Sequence, residues 1–161
     1  MSRLNSPFLT QYDSGLSRPL VIGLVNNASD RGLKSMERQF MNVLRAASND
    51  LELKFRFFTC PEIPRSTRPL SSMGSPYSSV DELYDVQLDA LIVTGMEPQA
   101  TMLRDEPVQG SLSRLADWAE EQAVPVMWSC LAAHAAVLHL DEIPRYRLPA
   151  KLSGVFECDA V

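Results

Sequence analysis

The chain has 161 residues, of which 45% are hydrophobic and 22% are charged, and its formal net charge is -5. This length and composition indicate one folded domain with enough apolar side chains for a continuous core. The acidic balance argues against nucleic acid and against anionic membranes as partners. The three cysteines have no metal-ligand spacing and the N-terminus has no apolar signal segment, so we expect a cytoplasmic protein without a bound metal.

The alternation of short apolar runs with amphipathic ones predicts an α/β domain, a parallel sheet flanked by helices. Residues 1–18 are polar and turn-rich and predict an N-terminal arm, which leaves residues 19–161 for the domain itself. Continuous or alternating apolar runs predict strands at 20–26, 51–58, 88–94 and 124–129.

Helical spacing of apolar residues predicts two helices between these strands. The first begins at a cap formed by Ser29 or Asp30, ends at Asn49-Asp50, and has a core face of Leu33, Met36, Phe40, Met41 and Leu44. The second has a core face of Leu112, Leu115, Ala116 and Ala119. Residues 61–79 contain four prolines and many serines and predict a long connection, after which Ser79 caps a short helix.

Cys130 is the most informative residue, because it lies where the last predicted strand stops and an apolar helix begins. A sharp strand-to-helix turn exposes the residue at its apex and directs the helix N-terminus toward it, which stabilises a thiolate. This placement is typical of a nucleophile. The alternative is a buried structural cysteine, since free cysteines are among the most buried residue types.

The carboxyl ends of parallel strands share one edge of a sheet, so Asn26-Asn27, Gly95-Met96 and Cys130 should converge there. The backbone N–H groups of Met96 and Leu131 are then the natural donors to an oxyanion that forms beside Cys130. Glycine at position 95 would let the chain turn closely against the nucleophile. A simple turn after a strand explains that glycine equally well.

Five segments between Val93 and Glu157 carry a family resemblance with unbroken spacing: Val93-Thr94-Gly95, Trp118, Cys130-Leu131-Ala132-Ala133, Ile143-Pro144 and Lys151-Leu152-Ser153-Gly154-Val155-Phe156-Glu157. They resemble the homoserine O-acyltransferases of methionine biosynthesis, the succinyl- and acetyltransferases with a class I glutamine-amidotransferase-like fold. Looser matches precede them: Ile22-Gly23-Leu24, Asn26 or Asn27, Glu37-x-Gln39-Phe40 and Tyr77. The resemblance implies a flavodoxin-like three-layer sandwich.

The resemblance also implies an activity, acyl transfer from succinyl- or acetyl-coenzyme A to the hydroxyl of L-homoserine. Cys130 would be the acyl-thioester nucleophile, Met96 and Leu131 the oxyanion donors, and Lys151 the residue that holds the substrate carboxylate. Gln99 occupies the family position where glutamate accompanies acetyl transfer and glycine accompanies succinyl transfer; a neutral amide there favours succinyl, unless Gln99 does not face the pocket. Acyl-coenzyme A is then a co-substrate and not a bound cofactor, and a homodimer is expected.

The chain departs from the family pattern in its histidines. In the resembling enzymes a general-base histidine and its glutamate come from a later segment, whereas the two histidines here are His134 and His139. His134 follows Cys130 by one helical turn and is interpreted as a packed helix histidine that points away from the thiol. His139 is interpreted in the same way, with even less indication of a functional role. Either these residues are the N-terminal portion of a longer enzyme, or the chain has lost turnover and retains binding. We prefer the first, because the sheet would otherwise keep an unpaired edge.

Two other function classes remain open from the sequence. One is a cysteine hydrolase or glutamine amidotransferase of the same fold, although such elbows place glycines where this chain has Trp128 and Ala132. The other is a catalytically inactive binding protein that keeps the pocket.

Overall fold

The protein is built on a five-stranded, fully parallel sheet with the strand order β3-β2-β1-β4-β5. The structure is a computed structural model that describes residues 18–48, 51–146, 148–150, 153–155 and 157. The strands are β1 (Leu20–Val25), β2 (Leu53–Thr59), β3 (Ser78–Ser79), β4 (Ala90–Thr94) and β5 (Val126–Ser129). The predicted parallel α/β sheet is therefore confirmed. The two-residue β3, which pairs with the end of β2, was not predicted.

Helices cover both faces of the sheet, which gives the three-layer arrangement. They are α1 (Leu33–Ala47), α2 (Gln109–Glu121) and α3 (Leu131–Asp141), with 3₁₀ helices at Val80–Asp85 and Leu103–Asp105. On one face Leu33 and Met41 of α1 pack against β1 and β2; on the other, α2 and α3 enclose a second core cluster. The predicted core face of α2 is buried throughout. Within the described residues, no helix combines the length and the apolar character needed to cross a bilayer.

The prediction for the start of α1 is wrong. The cap position is Gly32, which has no side-chain cap, and the backbone carbonyl of Ser29 accepts the N–H groups of Gly32 and Leu33 at 2.9 Å each. A backbone carbonyl thus replaces the side chain that the sequence suggested. The predicted end at Asn49-Asp50 lies outside the described residues. By contrast, Ser79 caps its short helix as predicted, with Glu82 completing a capping box.

The long connection between β2 and β3 is fastened to the end of β1 by polar side chains. Arg65 donates to the carbonyls of Asn26 (2.9 Å) and Ala28 (2.6 Å) and to the Asp30 carboxylate (3.1 Å). Asp30 also accepts from the backbone N–H (3.1 Å) and hydroxyl (2.7 Å) of Ser66. The hydrogen bonds from Ser66, followed by the one from Arg65, hold the pKa of Asp30 below its ordinary value.

A second attachment of the connection lies inside the molecule at Glu37, a fully buried residue of α1. Its carboxylate accepts from the Tyr77 hydroxyl at 2.9 Å, from the Ser72 backbone N–H at 2.8 Å and from the Ser72 hydroxyl. The Tyr77 hydroxyl in turn accepts from the Asn26 amide at 3.2 Å. Burial, above all, raises the pKa of Tyr77, so this hydroxyl stays protonated and keeps donating. A buried carboxylate is tolerated here because three donors satisfy it.

Asn27 ties the carboxyl ends of three strands together. Its side-chain amide donates to the Thr94 carbonyl at the end of β4 (3.0 Å), and its amide oxygen accepts from the Cys60 N–H just after β2 (3.0 Å). Its own backbone N–H donates to the Thr94 hydroxyl (2.9 Å). Because Asn27 and Thr94 are 1% exposed, each of these groups would lack water if its partner were removed.

We predict that Asn27→Ala lowers the free energy of unfolding by about 2–3 kcal/mol, because two side-chain hydrogen bonds are lost and a buried N–H and C=O lose their partners. The matched control is Asn42→Ala on the exposed side of α1, which should change the stability by no more than about 0.5 kcal/mol. Urea denaturation followed by circular dichroism measures both values. Equal effects of the two substitutions would show that Asn27 does not join the strands.

Candidate active site

Cys130 lies at the junction of β5 and α3, as predicted, and it is exposed. Its backbone has φ 58° and ψ -128°, a conformation that residues other than glycine rarely adopt. Holding a side-chain-bearing residue there costs about 1–3 kcal/mol, so the surrounding structure must enforce it. The turn presents Cys130 at the N-terminus of α3, which is the geometry of a nucleophile elbow.

Gly95 packs directly against the first turn of α3. Its N–H donates to the Ser129 carbonyl at 2.9 Å. A Cβ built on Gly95 would lie 2.4 Å from the Leu131 nitrogen, 2.7 Å from the Leu131 Cβ and 2.8 Å from the Ala132 nitrogen. Two of these three contacts are with backbone nitrogens of the helix, which cannot move aside. Gly95 has no positive φ, so close approach is the reason for glycine at this position, and not turn conformation alone.

The close approach places the peptide that follows Gly95 beside the start of α3. The N–H groups of Met96 and Leu131 donate no hydrogen bond to any group in the described part of the chain. Leu131 is the first residue of its helix, so its N–H has no acceptor within the helix. Of the two backbone donors that the sequence pointed to, Met96 thus follows the glycine that contacts α3, and Leu131 follows Cys130 directly. Backbone donors beside a nucleophile are able to stabilise a negative oxygen there if they point toward it.

The cysteines differ sharply in environment. Cys60 is 1% exposed, and its burial, aided by the Glu62 carboxylate, raises its pKa to about 12. Cys130 is exposed at a helix N-terminus. Cys158 lies outside the described residues. Of the two described thiols, only Cys130 is open to reagents at neutral pH.

Gln99 stands in the loop that follows β4 and is itself exposed. Its backbone N–H donates to both carboxylate oxygens of Glu106, at 3.0 and 3.1 Å, and the N–H of Ala100 donates to the same carboxylate at 3.0 Å. The side of the loop at Gln99 lines a cavity of about 460 Å³ together with Arg145 and Tyr146. Cys130 is not among the residues that line this cavity.

The structure places the remaining candidate residues as follows. Lys151 lies outside the described residues. His134 is exposed, so the prediction of a packed histidine is wrong: it lies on a face of α3 that no described element covers. His139 is partly buried, and its Nε2 is 2.6 Å from Asp117 Oδ1 of α2.

Two polar residues organise this region through contacts that the sequence did not predict. One is Glu106, which is 3% exposed and fixes the loop of Gln99; the other is Asn27, which joins the strand ends. The available signal was weak: Asn27 follows a buried strand, and Glu106 is an acidic residue within an otherwise ordinary turn. Neither position belongs to a periodic pattern, so only the fold reveals what each contacts.

The sequence is similar to one family of known proteins over most of its length. The sequence model described as homoserine O-succinyltransferase matches residues 12–161. Curated homoserine O-succinyltransferases from Rhodopseudomonas palustris and Bradyrhizobium japonicum are 48% and 46% identical to this chain over 148 and 140 residues. These alignments cover 92% and 86% of this chain but only 44% and 43% of the relatives. The chain therefore spans less than half the length of the curated relatives that it matches.

We predict that iodoacetamide at neutral pH modifies Cys130 at least about tenfold faster than Cys60, because Cys60 is buried and almost entirely protonated there. Peptide mapping by mass spectrometry after timed labelling gives the rate at each cysteine. Labelling after denaturation in urea is the control, and it should bring the two rates together. Similar rates in the folded protein would remove the basis for treating Cys130 as the exposed nucleophile.

Proposed function

This chain belongs to the homoserine O-succinyltransferase family, and we propose that its Cys130 is the nucleophile of acyl transfer from succinyl-coenzyme A to the hydroxyl of L-homoserine, in methionine biosynthesis. The observation that carries the proposal is the elbow: an exposed cysteine in a strained conformation at a helix N-terminus. The contact of Gly95 with the first turn of α3 supports it, because Met96 and Leu131, the proposed oxyanion donors, directly follow Gly95 and Cys130.

The proposed chemistry has two steps that share one oxyanion site. The Cys130 thiolate attacks the thioester carbonyl of succinyl-coenzyme A, a carbon–sulfur bond forms, and the carbonyl oxygen becomes an oxyanion that the N–H groups of Met96 and Leu131 stabilise. Collapse of this intermediate expels the coenzyme A thiolate and leaves succinyl-Cys130. The homoserine hydroxyl then attacks the new thioester, gives up its proton to a base, and releases Cys130 as the ester forms. Removing one oxyanion donor raises the barrier to acyl transfer by about 3–4 kcal/mol in a serine protease.

Two further residues have proposed roles in selecting the substrates. Lys151 would bind the carboxylate of homoserine, as its place in the Lys-Leu-Ser-Gly-Val-Phe-Glu motif implies. Gln99 would read the acyl group. A neutral amide does not repel the free carboxylate of a succinyl group and is able to donate a hydrogen bond to it. The bonds from the backbone of Gln99 to Glu106 support this role, because they hold the loop in a fixed position.

We predict that the chain forms a covalent adduct at Cys130 when it is incubated with equal concentrations of succinyl- and acetyl-coenzyme A, and that the succinyl adduct predominates. Intact-protein mass spectrometry detects the adduct, and peptide mapping locates it. Cys130→Ala should abolish the adduct, whereas Cys60→Ala should retain it because Cys60 is buried. An adduct on another cysteine, or no adduct on the folded wild type, would contradict the proposal.

The same competition tests the role of Gln99. Gln99→Glu introduces a carboxylate that repels the succinyl carboxylate, so the ratio of succinyl to acetyl adduct should fall by about tenfold or more. Glu97→Gln, a change of charge at another exposed position of the same loop, is the matched control and should leave the ratio within about twofold. An unchanged ratio in Gln99→Glu would show that Gln99 does not read the acyl group, while leaving the nucleophile assignment intact.

A further inference from the structure

We propose that Arg145 binds the free carboxylate of the succinyl group, in the cavity between the loop that follows β4 and the segment that follows α3. Arg145 would then favour succinyl- over acetyl-coenzyme A, because an acetyl group has no carboxylate to pair with the guanidinium. The proposal rests on the proposed function, since it adds a cation to the neutral amide of Gln99 in the recognition of the acyl group.

The first observation is the cavity itself. Residues 98–101 of the loop form one wall, and Arg145 and Tyr146 form the other. The volume of about 460 Å³ falls within the range of small-molecule sites, about 300–1,000 Å³. The cavity is therefore large enough for a small acyl group, and it brings Arg145 to the same space as Gln99.

The second observation is the charge of Arg145. It is the one charged side chain among the described residues that line the cavity. Arg145 is partly buried, yet it forms no ion pair with any described residue, whereas Arg18 and Arg65 each pair with an aspartate. A partly desolvated guanidinium without a counter-ion is stabilised by an anion that enters the cavity. A carboxylate fits it well, because the guanidinium donates two parallel hydrogen bonds to the two oxygens.

The buried carboxylate of Glu106 does not take the place of that anion. Glu106 is 3% exposed and does not line the cavity, and its oxygens accept from the backbone N–H groups of Gln99 and Ala100. It therefore fixes the wall that carries Gln99 and leaves Arg145 without a partner. The Gln99 amide is then available as a second donor to the same carboxylate.

The third observation connects the cavity with the proposed nucleophile. Gly95, at the start of the loop, contacts the first turn of α3, and Leu103, beyond the cavity, belongs to one core cluster with Leu131 and Leu138 of α3. Both ends of the loop thus rest on the helix that begins after Cys130. Cys130 itself does not line the cavity. This suits a site for the far end of the succinyl group, whose carbonyl carbon has to lie at the thiol.

The test compares the binding of succinyl- and acetyl-coenzyme A to Cys130→Ala, in which no thioester forms at this position. Isothermal titration calorimetry gives the two dissociation constants. We expect succinyl-coenzyme A to bind at least about tenfold more tightly, and the added substitution Arg145→Gln to reduce this preference to within about twofold. Arg145→Lys should keep a preference of at least about threefold, because lysine retains the charge but lacks the second parallel hydrogen bond.

Arg104→Gln is the matched control. It removes the same charge from an exposed arginine of the same loop that does not line the cavity, so the preference should stay within about twofold of its original value. The proposal is overturned if Cys130→Ala shows no preference for succinyl-coenzyme A, or if Arg145→Gln and Arg104→Gln have equal effects. It is also overturned if Arg145→Gln instead weakens binding of L-homoserine, whose carboxylate is the other anion that the site would meet.

The outcomes separate this proposal from the proposed chemistry. A preference that depends on Arg145, without a succinyl adduct on the wild type, would contradict the assignment of Cys130 as the nucleophile and support that of Arg145. An adduct at Cys130, with an unchanged preference in Arg145→Gln, would contradict the assignment of Arg145 alone.

Discussion

The candidate site depends on one contact, the packing of the Gly95 backbone against the first turn of α3. The parallel register of β4 and β5 brings Thr94 level with Ser129, and the Gly95 N–H then donates to the Ser129 carbonyl. At this distance a single Cβ would overlap the Leu131 nitrogen. The absence of that Cβ lets the chain at Gly95 approach the first turn of α3, directly after Cys130. Together with the hydrogen bond to Ser129, this contact engages the residues on either side of Cys130, whose own backbone is strained.

Buried polar side chains hold the loops around this contact. Asn27 joins the ends of β1, β2 and β4, Glu37 anchors the long connection through Tyr77, and Glu106 fixes the loop of Gln99. Beyond the strand ends, the backbone N–H and C=O groups of the loops have no neighbouring strand to pair with, so side chains supply their hydrogen-bond partners. Because each of these side chains is buried and hydrogen-bonded, the protein's own contacts hold the loops at the carboxyl edge of the sheet in position. Such preorganisation is what stabilisation of an oxyanion requires.

The features that could be predicted from the sequence are those that leave a pattern of apolar residues. The features that were missed depend on contacts between residues far apart in the chain. Apolar runs located four of the five strands, and the change from strand to helix periodicity located Cys130. β3 was missed because two serines inside a proline-rich connection carry no strand signal. The prediction of the α1 cap was wrong because the Asp30 carboxylate accepts a hydrogen bond from Ser66, 36 residues away, and does not cap the helix. His134 was expected to be packed because it lies one helical turn beyond Cys130 and points away from the thiol, but the side of α3 that it occupies is open in the described chain.

The measurement that tests the central role of the Gly95 contact is the rate of Cys130 succinylation in Gly95→Ala and Gly110→Ala. Both substitutions add one methyl group, but a Cβ on Gly110 meets nothing closer than Arg114 Nη1 at 4.0 Å, whereas one on Gly95 meets backbone at 2.4 Å. Circular dichroism gives the folded fraction of each variant, by which its rate is corrected. We predict a rate at least about tenfold lower than wild type for Gly95→Ala and within about twofold of wild type for Gly110→Ala. Succinylation of folded Gly95→Ala at the wild-type rate would contradict it.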